Sequence, residues 1–249
     1  MSKILANLNV AILGDSHEQE GSEVWRQVKS LATWLVESPG HRVIAAGPNG
    51  VAKAAAEAVR QVVGVAETGQ SGRLDVYVDQ REGREFYNAE CRGDGTYFGN
   101  LKQLVAAPDA WVFFPGHQGT TIQLEALLHQ IRLGEIGMEH RRIFLVCDKG
   151  HVMSMDAKGF YQNVSDSSRG SIHFPWSRVR HLPPIQAAIE DLSASIPEWI
   201  LEVHGESSAS TLHDFKNSFL RERGVNSSTA GQVAEVLAKS GQIKFAQTA

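Results

Sequence analysis

Pro115-Gly116-His117-Gln118-Gly119-Thr120 is the segment of this chain best composed to hold an anion. It follows an apolar run, Ala110-Trp111-Val112-Phe113-Phe114. It opens a stretch in which Leu124, Leu128 and Ile131 recur at helical spacing, with Leu127 widening the face. A strand that ends in Pro-Gly and passes through Gly-Thr into a helix points several backbone N–H groups one way. The helix dipole adds to them, and such termini bind phosphate. Gly116 and Gly119 would admit the anion close to the backbone, and the Thr120 and Thr121 hydroxyls would add donors. His117 reads either as a ligand-facing acid or base, or as a turn histidine bonded to backbone.

Two earlier loops repeat the logic. Gly47-Pro48-Asn49-Gly50 follows Arg42-Val43-Ile44-Ala45-Ala46, with Lys53 one turn into the next helix. Gly14-Asp15-Ser16 follows Asn9-Val10-Ala11-Ile12-Leu13 and would contribute Asp15 or Ser16. One glycine turn after a strand is ordinary chain reversal. Three of them at successive strand ends form a pocket, in a fold that brings those ends together. None matches the P-loop pattern or Gly-x-Gly-x-x-Gly, so ordinary ATPase and dehydrogenase readings find no support.

The elements that must position these loops are legible in the periodicity. Short apolar runs that stop at glycine and lead into helices suggest parallel strands buried on both faces. The first helix is capped by Ser22, favoured by Glu23 in its first turn, and carries Val24, Val28, Leu31 and Leu35 on one face; Pro39-Gly40 closes it. Val51, Ala55, Ala58, Val59 and Val62 line a second helix. A third strand is expected at Val62-Val63-Gly64-Val65-Ala66 and a further short one at Leu74-Asp75-Val76-Tyr77-Val78. From Arg81 to Gly99 the chain is polar and glycine-rich, which predicts a long loop or mobile crossover of the kind that covers ligands. A helix over Leu101–Val105 and a strand over Arg142–Cys147 follow.

This alternation predicts an α/β fold, a doubly wound, Rossmann-like parallel sheet, with its ligand loops on one edge. The expected division is a nucleotide-binding domain over residues 1–184 and a C-terminal helical extension over 185–249. Residues 148–184 read as loop-rich. The extension holds a helix over Ile185–Val203, interrupted or restarted near Pro197, then helices over Leu212–Arg223 and Ser228–Lys239. Val233, Val236 and Leu237 mark the last as a docking or oligomer-forming element.

Composition bounds the function. Apolar residues make up 42% of the 249 and charged residues 21%, an ordinary globular profile. A formal net charge of −4 argues against a general nucleic-acid binder. No apolar run approaches the roughly 20 residues of a membrane span, and Asn7 and Asn9 interrupt any secretory segment, so a cytoplasmic protein is expected. Cys91 and Cys147 then read as reduced thiols. The histidines show no metal-ligand spacing, and no cofactor is called for. Trp176, beside His173, Phe174 and Pro175, reads as a packed loop or as a stacking wall for a base.

Ala45-Ala46-Gly47-Pro48-Asn49-Gly50-Val51-Ala52-Lys53-Ala54-Ala55 resembles the Gly-Gly-x-x-Gly-x-Met loop of the LOG-like Rossmann proteins. That superfamily, also known as lysine-decarboxylase-like, includes the cytokinin-activating phosphoribohydrolases. Pro115-Gly116-His117-Gln118-Gly119-Thr120-Thr121-Ile122-Gln123 resembles its Pro-Gly-Gly-x-Gly-Thr-x-x-Glu signature. The likeness covers residues 9–147. It implies a site for a nucleoside 5′-monophosphate and, in active members, hydrolysis of the bond between base and ribose 5-phosphate through an oxocarbenium-like transition state that needs a carboxylate. It also implies a homodimer.

The chain departs from the family at the positions that matter. The family glutamate falls on Gln123, which cannot ionise. The family arginine falls near Asn100, with Lys102 the nearest cation, and His117 replaces the second glycine. Glu125 lies about 200° round the helix from Gln123 and does not substitute. Glu90, Asp94 or Asp15 would have to supply a carboxylate. Three functions follow as expectations: a phosphoribohydrolase-like N-glycosidase using Gln123, Asn100 and Glu90 as catalytic positions, a non-catalytic nucleotide sensor or carrier, and a partner-binding protein working through its helical tail.

Overall fold

The computed structural model describes residues 6–37, 40–64, 72–79, 81, 92–133, 142–146, 152–156, 185–205, 209, 211–219 and 227–245. Its first half alternates strand and helix: β1 (Asn9–Leu13), α1 (Glu23–Glu37), β2 (Arg42–Ala46), α2 (Gly50–Val63) and β3 (Leu74–Tyr77). Then come α3 (Tyr97–Ala106), β4 (Ala110–Phe113), α4 (Gln118–Leu133), β5 (Arg142–Val146) and β6 (Val152–Asp156). The tail holds α5 (Ile185–Gly205), a helical stretch over Leu212–Asp214 and Phe215–Phe219, and α6 (Ser227–Lys239).

The strands lie in the order β3-β2-β1-β4-β5-β6. The first five in that order are parallel, and β6 pairs antiparallel with β5 at the edge. Alternate strand residues go to opposite faces. Val10, Ile12, Val43, Ala45, Val112 and Phe144 join α1, α2, α5 and α6 in one core. Ala11, Leu13, Ile44, Trp111, Phe113 and Ile143 join α3 and α4 in the other. Burial on both faces is what lets each strand be an unbroken apolar run. The fold is therefore a doubly wound, Rossmann-like α/β sheet.

Local chemistry explains the element ends. Ser22 Oγ accepts the Trp25 N–H at 3.0 Å and caps α1. The strand expected over Val62–Ala66 does not form over its described part. Val62 and Val63 continue α2, which ends at Gly64 with φ +80° and its N–H on the Arg60 carbonyl at 2.9 Å. The 3.6-residue apolar stripe begun at Val51 outweighs the β preference of two valines, and the glycine supplies the positive-φ stop. Val65 and Ala66 lie outside the described residues. The third strand is Leu74–Tyr77.

Strand β6 falls where a loop-rich segment is expected. Val-Met-Ser-Met-Asp has little β preference, so pairing with β5 makes it a strand. Helix α5 runs through Pro197 without a break. A proline removes the N–H that would bond the carbonyl four residues back. Here that Ser193 carbonyl accepts the Ala6 N–H at 2.9 Å, while Ser193 Oγ donates to the Ala6 carbonyl at 2.7 Å. The freed acceptor thus docks the chain entering β1.

At the same end of the sheet, Asp109 Oδ2 accepts from the Asn9 N–H at 2.8 Å and from Thr229 Oγ1 at 2.6 Å. These bonds tie β1, β4 and α6 together. Val233 and Leu237 of α6 pack into the chain's own core and leave Val236 outward. Among the described residues no helix is long and apolar enough to cross a membrane.

Candidate functional site

Strand order reverses between β1 and β4: the chain goes from β1 to β2 and β3 on one side, then crosses to β4 and β5 on the other. In open parallel sheets the loops leaving the carboxyl ends of such strands diverge and leave a crevice. A cavity of about 330 Å³ lies there, within the size range of small-molecule sites. Gly14, Asp15 and Ser16 line it from the β1 loop, and Gly47 from the β2 loop. His117, Gln118, Gly119, Thr120 and Gln123 line it from the start of α4.

The β4 and β1 loops touch through backbone. Phe114 N–H donates to the Leu13 carbonyl at 2.7 Å, and Asp15 N–H donates to the Pro115 carbonyl at 3.2 Å. Gly116 permits this approach, because a Cβ there would sit 2.9 Å from the Asp15 nitrogen and against Thr120. Helix α4 begins beyond it, with the His117 carbonyl accepting the Thr121 N–H at 3.1 Å. Among the described residues no side chain caps α4, so the N–H groups of its first turn face the cavity free of intrahelical partners. A Cβ on Gly119 would meet nothing within 4 Å. Thr120 is buried and lines the cavity, whereas Thr121 Oγ1 donates to the His117 carbonyl at 3.2 Å and lies outside the lining.

The second loop behaves differently from expectation. Gly47, with φ +98°, is in the lining, but Pro48, Asn49, Gly50 and Lys53 are not. Gly50 has φ +56°, and a Cβ on it would lie against the Asp15 carbonyl and 2.6 Å from the Ser16 carbonyl carbon. The Val51 N–H donates to the Asp15 carbonyl at 3.0 Å. The first loop thus takes one first-turn donor of α2, the Val51 N–H. Lys53 turns outward, its Nζ 3.8 Å from Glu20, 3.7 Å from Glu57 and 5.8 Å from the Trp25 ring centroid.

Among the described residues two carboxylates reach the cavity, Asp15 and Asp79. Asp79 is satisfied: Arg81 donates from its backbone N–H and Nε to Oδ1, both at 3.0 Å, and from its second guanidinium nitrogen to Oδ2 at 2.9 Å. These bonds hold the Asp79 carboxyl down at about 2. Asp15 Oδ1 accepts the His17 N–H at 2.9 Å, and Oδ2 faces His117 Nε2 at 3.4 Å. Among the described residues lining the cavity there is no lysine or arginine.

The far wall consists of residues that motif reading passed over: Tyr77, Tyr97, Leu101 and Leu104. Only the topology brings them here. Asp75 in β3, 5% exposed, accepts from Arg92 Nε at 2.8 Å and lies 3.3 Å from Arg42 Nε. With the Arg92 N–H on the Val76 carbonyl at 3.0 Å, this pins the segment entering α3 against the sheet. Burial, then the Asp75 charge, raises the Tyr77 phenol above its ordinary range. Asn100 lies at this wall, 6% exposed, and its Oδ1 has no hydrogen-bond partner among the described residues.

Of the expected alternative carboxylates, Asp94 is outside the lining and accepts the Thr96 N–H and hydroxyl at 2.8 Å each. Glu90 lies outside the described residues, as do both cysteines and the Trp176 segment. Glu125 is exposed, on the side of α4 away from the cavity.

No protein-family model and no curated protein matches this chain. The functional reading therefore rests on the loops, the cavity and the groups that line it.

Proposed function

We propose that this chain is a LOG-like protein that binds a nucleoside 5′-monophosphate, with its phosphate on the start of α4. One observation carries the reading: the uncapped N-terminus of α4 opens into a 330 Å³ cavity at the switch point, with Gly119 leaving room at the donors. The phosphate meets backbone N–H groups and the helix dipole. Gln123, one turn into α4, and Asn100 on the opposite wall offer amides to ribose hydroxyls. Tyr97, Leu101 and Leu104 provide an apolar wall for the base.

A sensor or carrier is the second reading. It is favoured by Gln123, which stands in the cavity where the family resemblance has its glutamate. Both readings require binding, and melting curves test that. Nucleoside 5′-monophosphates should raise the melting temperature, ribose 5-phosphate less, and unphosphorylated nucleosides least. An unmoved melting temperature across the panel at millimolar ligand would exclude the reading and leave the helical tail as the working surface.

A further inference from the structure

A second cavity, of about 380 Å³, lies at the opposite end of the sheet from the switch point, where the strands begin. Parallel register builds its charged wall. Val43 pairs with Leu74, so one step earlier Arg42 and Arg73 stand side by side where β2 and β3 enter the sheet. The Val43 N–H donates to the Arg73 carbonyl at 2.8 Å and fixes that register. Like charges side by side on adjacent strands are destabilising. Arg42 Nε lies 3.3 Å from Asp75, but the same carboxylate accepts from Arg92 Nε at 2.8 Å. Asp75 therefore divides one negative charge between two guanidinium groups, and Arg73 adds a third beside them.

Backbone positions both heads at the cavity. Arg42 Nε donates to the Gly72 carbonyl at 2.6 Å. Arg73 lies against Gly40, whose φ is +74°, and a Cβ there would come 2.5 Å from Nη1. From the other side α6 presents Ser228 and Gln232, one turn apart. That wall is held in place, because the Thr229 hydroxyl donates to Asp109 Oδ2 at 2.6 Å. Asn7 and Asn9 complete the lining. Among the described residues Leu8 is its one apolar side chain, and it contains no aspartate or glutamate.

We infer that this cavity binds a compact polyanion, a small molecule carrying two or more phosphate or carboxylate groups and no apolar ring. Guanidinium forks match the oxygens of either group bidentately. Ser228, Gln232 and the two asparagines add neutral donors, and the volume is that of a small-molecule site. A ligand held between Arg42, Arg73 and α6 ties the C-terminal helix to the start of the sheet. The site stands apart from the nucleotide reading, since the two cavities share no described lining residue.

The test titrates the full chain with inorganic pyrophosphate and with citrate, by calorimetry at low ionic strength. The start of α4 is a competing anion site, so the titrations are repeated in Gly119→Val, which fills the space over its donors. At least one of the two anions should bind Gly119→Val at a single site. Pyrophosphate binding identifies a phosphate ligand, and citrate binding a carboxylate one. In that background Arg73→Gln should weaken binding by about tenfold or more, through loss of charge-assisted hydrogen bonds. Gln232 is exposed, so Gln232→Glu keeps the fold and sets a negative charge at the lining; it should weaken binding by roughly threefold or more. No binding of either anion to Gly119→Val at millimolar concentration would overturn the inference and leave the nucleotide reading untouched. Binding that neither Arg73→Gln nor Gln232→Glu alters would overturn it as well.

Discussion

Gly119→Val separates the fold from the anion site. Gly119 sits in the first turn of α4 without a positive φ, and a Cβ there meets nothing within 4 Å. The substitution therefore strains no backbone, and the higher helix propensity of valine offsets the added side chain by a few tenths of a kcal/mol. The unliganded protein should melt at the wild-type temperature. The valine does, however, fill the space over the first-turn donors. Each backbone N–H bonded to a charged oxygen contributes about 1.5–3 kcal/mol. Denying the phosphate two of them costs about 3 kcal/mol at the least, roughly 150-fold in Kd. At a ligand concentration of about 100 times the wild-type Kd, binding stabilises wild type by about 2.7 kcal/mol, a rise of roughly 5–10 °C for a chain of this length. The variant at the same concentration should gain about 0.3 kcal/mol, or roughly 1 °C. The assay is a melting curve with and without the tightest-binding monophosphate. A full ligand-induced rise in Gly119→Val would refute the placement of the phosphate on α4.

Two further substitutions address the frame around the site. Gly50→Ala puts a Cβ against the Asp15 carbonyl and 2.8 Å from the Ser16 Cα, in a backbone of φ +56°; left-handed strain plus overpacking should lower unfolding stability by about 3 kcal/mol, and a urea midpoint equal to wild type would show that the two loops do not hold each other. His41 is fully buried, its Nδ1 accepts the Leu8 N–H at 3.1 Å, and burial, then the Arg73 charge, lowers it to about 4. The folded state thus resists a proton that the unfolded chain takes up near 6.5, so stability is complete above about pH 6.5 and falls as pH drops toward 4, by about 3 kcal/mol from this residue. His41→Gln should lose that much less than wild type between pH 7 and pH 4 in urea titrations, and equal acid losses would count against the assignment.

Apolar periodicity was enough to place the five parallel strands, because both-face burial forces short, unbroken apolar runs between glycine turns, but it did not place the edge strand β6. It failed where a local preference met a longer-range contact. Val62 and Val63 have β-branched side chains, but the helical stripe already under way absorbed them. Pro197 looks like a helix break, yet the carbonyl it frees at Ser193 finds Ala6, nearly 190 positions away, and no local pattern announces that bond. At the site, the α4 loop was legible because its chemistry is contiguous. The pairing of Asp15 with His117 was not, since 102 positions separate them and only the β1–β4 register joins them. Tyr77, Tyr97 and Leu104 stayed hidden for the same reason.

The three glycine loops look equivalent in sequence and become unequal in the fold, and that inequality narrows the ligand. The β1 loop gives its Asp15 carbonyl to the Val51 N–H, so protein takes a first-turn donor of α2. Lys53, the cation expected beside it, is held by Glu20 and Glu57. Among the described residues the start of α4 keeps its first-turn donors for an anion, and the lining adds no lysine or arginine to it. A single phosphate can be met by first-turn N–H groups and the helix dipole. Among the described lining residues, a second phosphate would lie near the Asp15 and Asp79 carboxylates with no lysine or arginine beside it. On the proposed reading the described lining suits one phosphate at the α4 end, a hydroxyl-bearing middle and an apolar ring at the other, the charge pattern of a nucleoside monophosphate.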